Sequence, residues 1–315
     1  MLTKTLIAAL LAASFAVWYW VFLRWQAGQP AIPLARRRPV PWQGQDVLFV
    51  FLMAILFPLL GSVAVHAITG GGPAQQAGRA AVGNEAAKET TEKEVTDQDL
   101  QTAHPAAQLL LTGDWRMIAV ATIMAVVVAP VFEEFLFRVL LQGWLEAVWS
   151  RRRRSHRELR QAPNSWIPVV LPAALFALMH LRTGHAPPAS QYVTAQFLAQ
   201  MAADLLTLGL AIFLLRYSLG ATCADLGWQP RKLPTDAKLA FGALVAVTPL
   251  ILLLQEGLTF AVKRAGISLA PDPIPLFFLA LVFGLLYRRT HRITPSLMLH
   301  MAFNATSIAG LFLGV

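Results

Sequence analysis

Six polar residues sit inside apolar stretches of this sequence. Glu133, Glu134 and Arg138 lie in "APVFEEFLFRVLLQGW", His180 in "LFALMHL", and His300 with Asn304 in "LMLHMAFNAT". Their spacing is helical. Glu134 and Arg138 are four apart, so they share a face and can pair. His300 and Asn304 share a face for the same reason, as do Phe176 and His180. Glu133 is turned about 100° from Glu134 around a helix and is left to face something else. A charged side chain at the centre of a bilayer helix costs about 2.5–3.5 kcal/mol on insertion scales, so the set calls for a reason. A lone Glu–Arg pair is met as a structural device that fixes helix packing. A lone His on an apolar helix is more often a packing residue than a functional one. A second, unpaired acid beside two His and an Asn tips the balance toward chemistry.

A Glu carboxylate can take a proton from water as a general base, with a His holding the same water from the other side. A second His and an Asn can donate hydrogen bonds to a developing oxyanion. Neither GxSxG nor HExxH occurs, and Cys223, the single cysteine, lies in a loop-like segment, so no Ser or Cys nucleophile has this placement. The chemistry that fits is water attack on an amide within the membrane. Intramembrane Glu and His also serve proton relays and transporters, but the chain has no evident pseudo-symmetric pair of broken helices. Asp204, Gln255 and Glu256 have no clearly spaced partner and read as packing or interface residues. His66, His104 and His185 read as solvated.

The elements that must hold these residues are apolar helices. Hydrophobic residues make up 56% of the 315 and charged residues only 14%, against about 25% charged in soluble domains. Apolar runs of about 20 residues are expected near 5–24, 46–69, 116–137, 166–183, 193–215, 239–262, 274–287 and 294–313. The expected fold is therefore all-α: a polytopic membrane protein of about eight transmembrane helices with its core buried between them. The first run reads as an uncleaved helix more than a signal peptide. The net charge of +9 does not point to nucleic acid, because the basic residues sit mostly in short loops between apolar runs. Those loops hold Arg36 to Arg38, "RRRRSHRELR", Arg231 with Lys232, and "RRTHR". All four fall on one side if the helices alternate, which makes that side cytoplasmic and puts both termini outside. One cysteine excludes an intrachain disulfide. Residues 70–114 are polar and nearly free of large apolar side chains, so a flexible or weakly helical extramembrane loop is expected there. The resulting division is 1–69, N-terminal helices; 70–114, loop; 115–315, core.

Three motifs carry a resemblance. "EEFLFR" (133–138) fits EExxxR, "FALMH" (176–180) fits FxxxH, and "HMAFN" (300–304) fits HxxxN. In that order they resemble the type II CAAX prenyl endopeptidase family, which also covers the bacterial CAAX-protease and bacteriocin-processing (CPBP, or Abi) proteins. The resemblance covers about 115–183 and 274–313. It implies an all-α membrane fold, a glutamate-dependent intramembrane protease and an integral protein of a bacterial cell membrane. It also implies lipid surroundings and a peptide or protein substrate, with lipid-modified peptides among the candidates. Carried onto this chain, Glu133 is the base that activates water, assisted by His180. Glu134 orients Arg138, and His300 with Asn304 stabilises the oxyanion. That scheme requires no cofactor or metal. A zinc reading stays open because one Glu and two His make a zinc set, although the usual helical ligand spacing is missing. A catalytically silent binding or immunity protein on the same fold is the alternative; the presence of every key position argues for an enzyme.

Two departures from the family pattern stand out. An apparent insertion at about 185–272, including "LGATCADLGWQPRKLPTDAKLAFG" (219–242), separates His180 from His300. Simple alternation of spans also puts His180 toward the outer end of its helix and His300 toward the inner end of its own. They meet only near mid-membrane or if one segment is re-entrant. The stretch 116–150 is long enough for one spanning helix followed by a second, embedded one.

Overall fold

The computed structural model describes residues 2–35, 40–69, 115–153, 165–181, 191–266 and 273–313. The expectations for 70–114, for His104 and His185, for Arg36 to Arg38 and for most of "RRRRSHRELR" fall outside these residues. The described chain is helical. In order come α1 (Leu2–Gln26), α2 (Gly44–Thr69), α3 (Trp115–Ile123), α4 (Ala129–Glu134), α5 (Gly143–Arg153), α6 (Ile167–Met179), α7 (Gln191–Phe213), α8 (Leu233–Arg264), α9 (Pro273–Thr290) and α10 (Thr294–Leu313). Six described segments are long and apolar enough to cross a membrane, among them Trp115–Ser150 and Pro230–Arg264. The remaining two of the eight expected runs are α6, a shorter apolar helix, and α10. The protein is an all-α polytopic membrane protein, and eight is an approximate count of spans.

The stretch 116–150 is not two helices. Helices α3, α4 and α5 form one run joined by two π-helical stretches, Met124–Val128 and Phe135–Gln142. Pro130 explains what happens at the first. The amide of Ala129 donates to Met124 O, five residues back. The next donor in that register would reach Ala125 O, but residue 130 is a proline and has no N–H. The Asn304 side chain of α10 supplies the missing donor, with Nδ2 to Ala125 O at 2.7 Å. In a bilayer a freed carbonyl has to find a protein partner, and here it comes from another helix. Helix α1 is tied to α8 close to a second proline. The α8 helix contains Pro249, and the nearby Ala246 O accepts from both Ser14 Oγ (3.1 Å) and Trp18 Nε1 (3.0 Å) of α1.

The second π stretch, FLFRVLLQ, is buried on every side, as expected of a helix at the centre of a protein and not at its lipid face. Helices α2, α6 and α9 pack on it directly, while α7 and α10 pack on α4 just before it. Helix α6 lies along α9, where Gly284 makes room: a Cβ there would stand 2.9 Å from Val169 Cγ1 and 3.1 Å from Gln142 Oε1. Helices α7 and α8, the bulk of the apparent insertion, do not lie between His180 and His300. The α7 helix bridges α2 to α4, and α8 packs on both α10 and α1. The two N-terminal helices are thus joined to the centre largely through the insertion.

The segments flanking the basic loops gather at one end. Ala35 N donates to Arg289 O, Arg288 Nη1 to Ser165 O, and Ile293 N to Gly227 O. His291, with a left-handed φ of 49°, brings Nδ1 within 3.8 Å of Glu146 Oε2.

Candidate active site

Helix α6 has 13 residues, which at 1.5 Å per residue is about 20 Å, two-thirds of a ~30 Å hydrocarbon layer. It is therefore shorter than that layer, although the sequence stays apolar to Leu181. His180 terminates it. Its backbone N–H turns to Ala177 O, and its ring Nδ1 takes Phe176 O at 2.8 Å. A carbonyl only accepts, so Nδ1 carries the proton and Nε2 faces outward. This short helix removes the conflict between His180 and His300 that full-length alternating spans create.

His180 Nε2 lies 3.9 Å from Glu133 Oε1, and His300 Nε2 lies 3.7 Å from Glu133 Oε2. One carboxylate is thus flanked by two imidazoles, one on each oxygen, at distances beyond a direct hydrogen bond. The other ring nitrogen of His300, Nδ1, faces Glu134 Oε1 at 3.4 Å. Glu134 Oε2 in turn lies 3.4 Å from Arg138 Nε, with both side chains fully buried. Glu133 and His180 keep 21% and 34% of their side-chain surface accessible. The two adjacent acids therefore have different surroundings: Glu134 is sealed in against a cation, and Glu133 opens on a space.

Aromatic rings frame the sealed half. The Arg138 guanidinium carbon sits 5.9 Å from the Phe176 ring and 5.8 Å from the Phe283 ring, within cation–π range of both. His300 stacks on Phe283 at 4.7 Å and meets Phe176 edge-on at 5.8 Å. Phe176 also touches the His180 ring at 4.6 Å. One ring thus contacts Arg138, His180 and His300.

The structure brings together Glu133, Glu134, Arg138, His180 and His300. Asn304 is beside them, but its amide is directed at Ala125 O. Sequence reasoning missed Phe283, whose apolar run offers no signal. It also missed Gln142 and Glu146, whose signal was present: with Glu134 and Arg138 they continue a four-residue spacing along one buried line. Gln142 Nε2 donates to Glu146 Oε1 (3.1 Å) and Gly284 O (2.8 Å). Asp204 of α7 is buried, binds Gln200 at 2.8 Å and stands within electrostatic reach of Glu133. Among the described residues no group of three His, Cys, Asp or Glu side chains is arranged to hold a metal ion. The geometry at Glu133 is that of a carboxylate flanked by two imidazoles, suited to moving a proton on and off a water or a substrate atom.

The family model for type II CAAX prenyl endopeptidase Rce1-like proteins matches residues 115–306. No curated protein and no solved structure matches the chain.

Proposed function

The chain belongs to the Rce1-like type II CAAX prenyl endopeptidase family, and on that premise we propose that it is an intramembrane endopeptidase hydrolysing a peptide bond with glutamate-activated water. The observation that carries this reading is the flanking of Glu133 by Nε2 of His180 and Nε2 of His300 at 3.9 and 3.7 Å. Those gaps are too long for direct hydrogen bonds and short enough for one water to touch both groups.

In this scheme Glu133 takes the proton of the attacking water, and His180 holds that water from the other side. Phe176 O fixes the His180 tautomer, so the ring meets the water through Nε2. His300 and Asn304 are the donors for the oxyanion. Glu134 neutralises buried Arg138 and faces Nδ1 of His300; a ring protonated on both nitrogens holds Glu134 through Nδ1–H and still donates to the oxyanion through Nε2–H. The proton on Glu133 then passes to the leaving amine, and Glu133 returns to a carboxylate. The scheme routes no step through a metal. The substrate is a peptide segment reaching into the membrane, with lipid-modified peptides the first class to try. The setting is a bacterial cell membrane, with the basic loops on the cytoplasmic side.

The test is cleavage of a farnesylated CAAX reporter peptide and of unmodified membrane-anchored peptides in liposomes. Glu133→Gln, His180→Ala and His300→Ala should each lower cleavage by at least about 10²-fold while the protein still folds. Cleavage retained by Glu133→Gln would refute the assignment.

A further inference from the structure

The turn that precedes the helix of His300 and Asn304 is gripped by the segment that looked like an insertion. Asp236, in the first turn of α8, is fully buried. Arg292 reaches it with two nitrogens: Nε at 2.8 and 3.0 Å from its two oxygens, and Nη2 at 2.5 Å. The Thr294 hydroxyl donates to Asp236 Oδ2 as well. Thr294 is the first residue of α10, and His300 stands six positions further on the same helix. A second grip lies at Gly227, just before Trp228: Gly227 O accepts from Ile293 N at 3.1 Å. Gly227 has φ 75°, and a Cβ on it would stand 2.7 Å from Ile293 N, so this approach is open only to glycine. Thr290 and Ser296 close the turn from within, through Thr290 Oγ1 to Leu286 O and Ser296 Oγ to Ile293 O.

We propose that Asp236, with Gly227, is a positioning element that fixes the axial register and rotation of α10, and thereby places His300 and Asn304 against α4 and the π stretch before it. The reason is geometric. Successive helical residues differ by about 100° and 1.5 Å, so a small slip at Thr294 turns His300 away from both acids. A charged bidentate pair has a narrow set of allowed orientations, which suits it to holding such a register. Arg292, Ile293 and Thr294 are three consecutive residues, all held by residues 227–236. This grip thus adds no group to the reacting centre but sets where two of its groups stand.

This rests on reading His300 and Asn304 as site residues, so the experiment reads geometry and not cleavage. Cys223→Ser gives a cysteine-free background in the full chain. Ala125→Cys with Asn304→Cys, at two positions that the Asn304–Ala125 hydrogen bond brings together, reports the seat of α10. A pair at 61 and 199 serves as reference, since a Cβ at Gly61 would lie 3.4 Å from Ala199 Cβ at the α2–α7 contact. Disulfide formation is measured in membranes with Asp236 native and with Asp236→Asn, which keeps the size and loses the charge. The expected result is at least a fivefold drop for 125–304 and no change for 61–199. Thr294→Ala, a milder variant, should give a smaller drop at the same pair, and it carries the decision alone should Asp236→Asn fail to accumulate. An unchanged 125–304 pair overturns the proposal. So does equal loss of both pairs, because Asp236 would then support the whole fold and not the seat of α10. Loss of cleavage assignments at Glu133 would leave either result intact.

Discussion

His300 faces both acids of the Glu133–Glu134 pair at once, Nε2 toward Glu133 at 3.7 Å and Nδ1 toward Glu134 at 3.4 Å. A single imidazole therefore joins the open half of the site to the sealed half. The sealed half has a cation, Arg138, held between two phenylalanine rings. The open half has His180 on its far side. This ring is one route by which a change at Glu134 or Arg138 reaches Glu133.

The adjacent acids should fail in different ways. Glu133→Gln should lower turnover by about 10²–10⁴-fold, the range for a positioned general base, with thermal unfolding in detergent unchanged. Glu134→Gln should lower stability by about 3–5 kcal/mol, because Arg138 is left as an uncompensated buried charge. Cleavage assays beside unfolding curves on the two variants distinguish these outcomes.

Phe283 should matter to rate more than to substrate binding. It stacks on His300 and flanks Arg138. Phe283→Leu keeps an apolar filling but removes the aromatic contacts, worth about 0.5–1.5 kcal/mol. The expected result is a loss in kcat of up to about tenfold, with KM within about twofold. A change confined to KM would contradict it.

Asn304 and Pro130 should be coupled. Asn304→Ala leaves Ala125 O without a donor, which costs about 1–3 kcal/mol. Pro130→Ala restores a backbone N–H in the register that reaches Ala125 O. The cost of Asn304→Ala should therefore shrink to under about 1 kcal/mol in the Pro130→Ala background. A double-mutant cycle in stability reads the coupling directly, and additive costs would exclude the link.

Gly227 should tolerate no side chain. Left-handed backbone alone costs an ordinary residue about 1–2 kcal/mol. The added contact with Ile293 N makes Gly227→Ala more damaging than that, whereas Gly242→Ala, with open space around its Cβ, should be neutral or mildly stabilising. Paired unfolding measurements on the two alanine variants test the contrast.

The convergence of polar residues was legible because each one stood out against an apolar run. The i, i+4 spacing of Glu134 with Arg138 was enough to separate the two acids. What was not legible came from partners distant in sequence. The length of α6 was overestimated because hydropathy continues past His180, while the helix is ended by that residue's own hydrogen bonds to Ala177 and Phe176. The π stretch before Pro130 depends on Asn304, which lies 179 positions away. Phe283 is one apolar residue among many until Arg138 and His300 are seen beside it. Asp236 belongs to a segment that reads as a polar loop, and its buried pairing with Arg292 spans 56 positions.

The bonds from Ser14 and Trp18 to Ala246 also set an order of events. Trp18 and its acceptor are separated by 228 positions, so at about 5–20 residues per second the ribosome needs roughly 10–50 s to make the second after the first. During that interval α1 lacks the α8 partner that the finished chain gives it. Its entry into the bilayer precedes the contact with Ala246, and the carbonyl three residues before Pro249 is met by a helix that was already waiting.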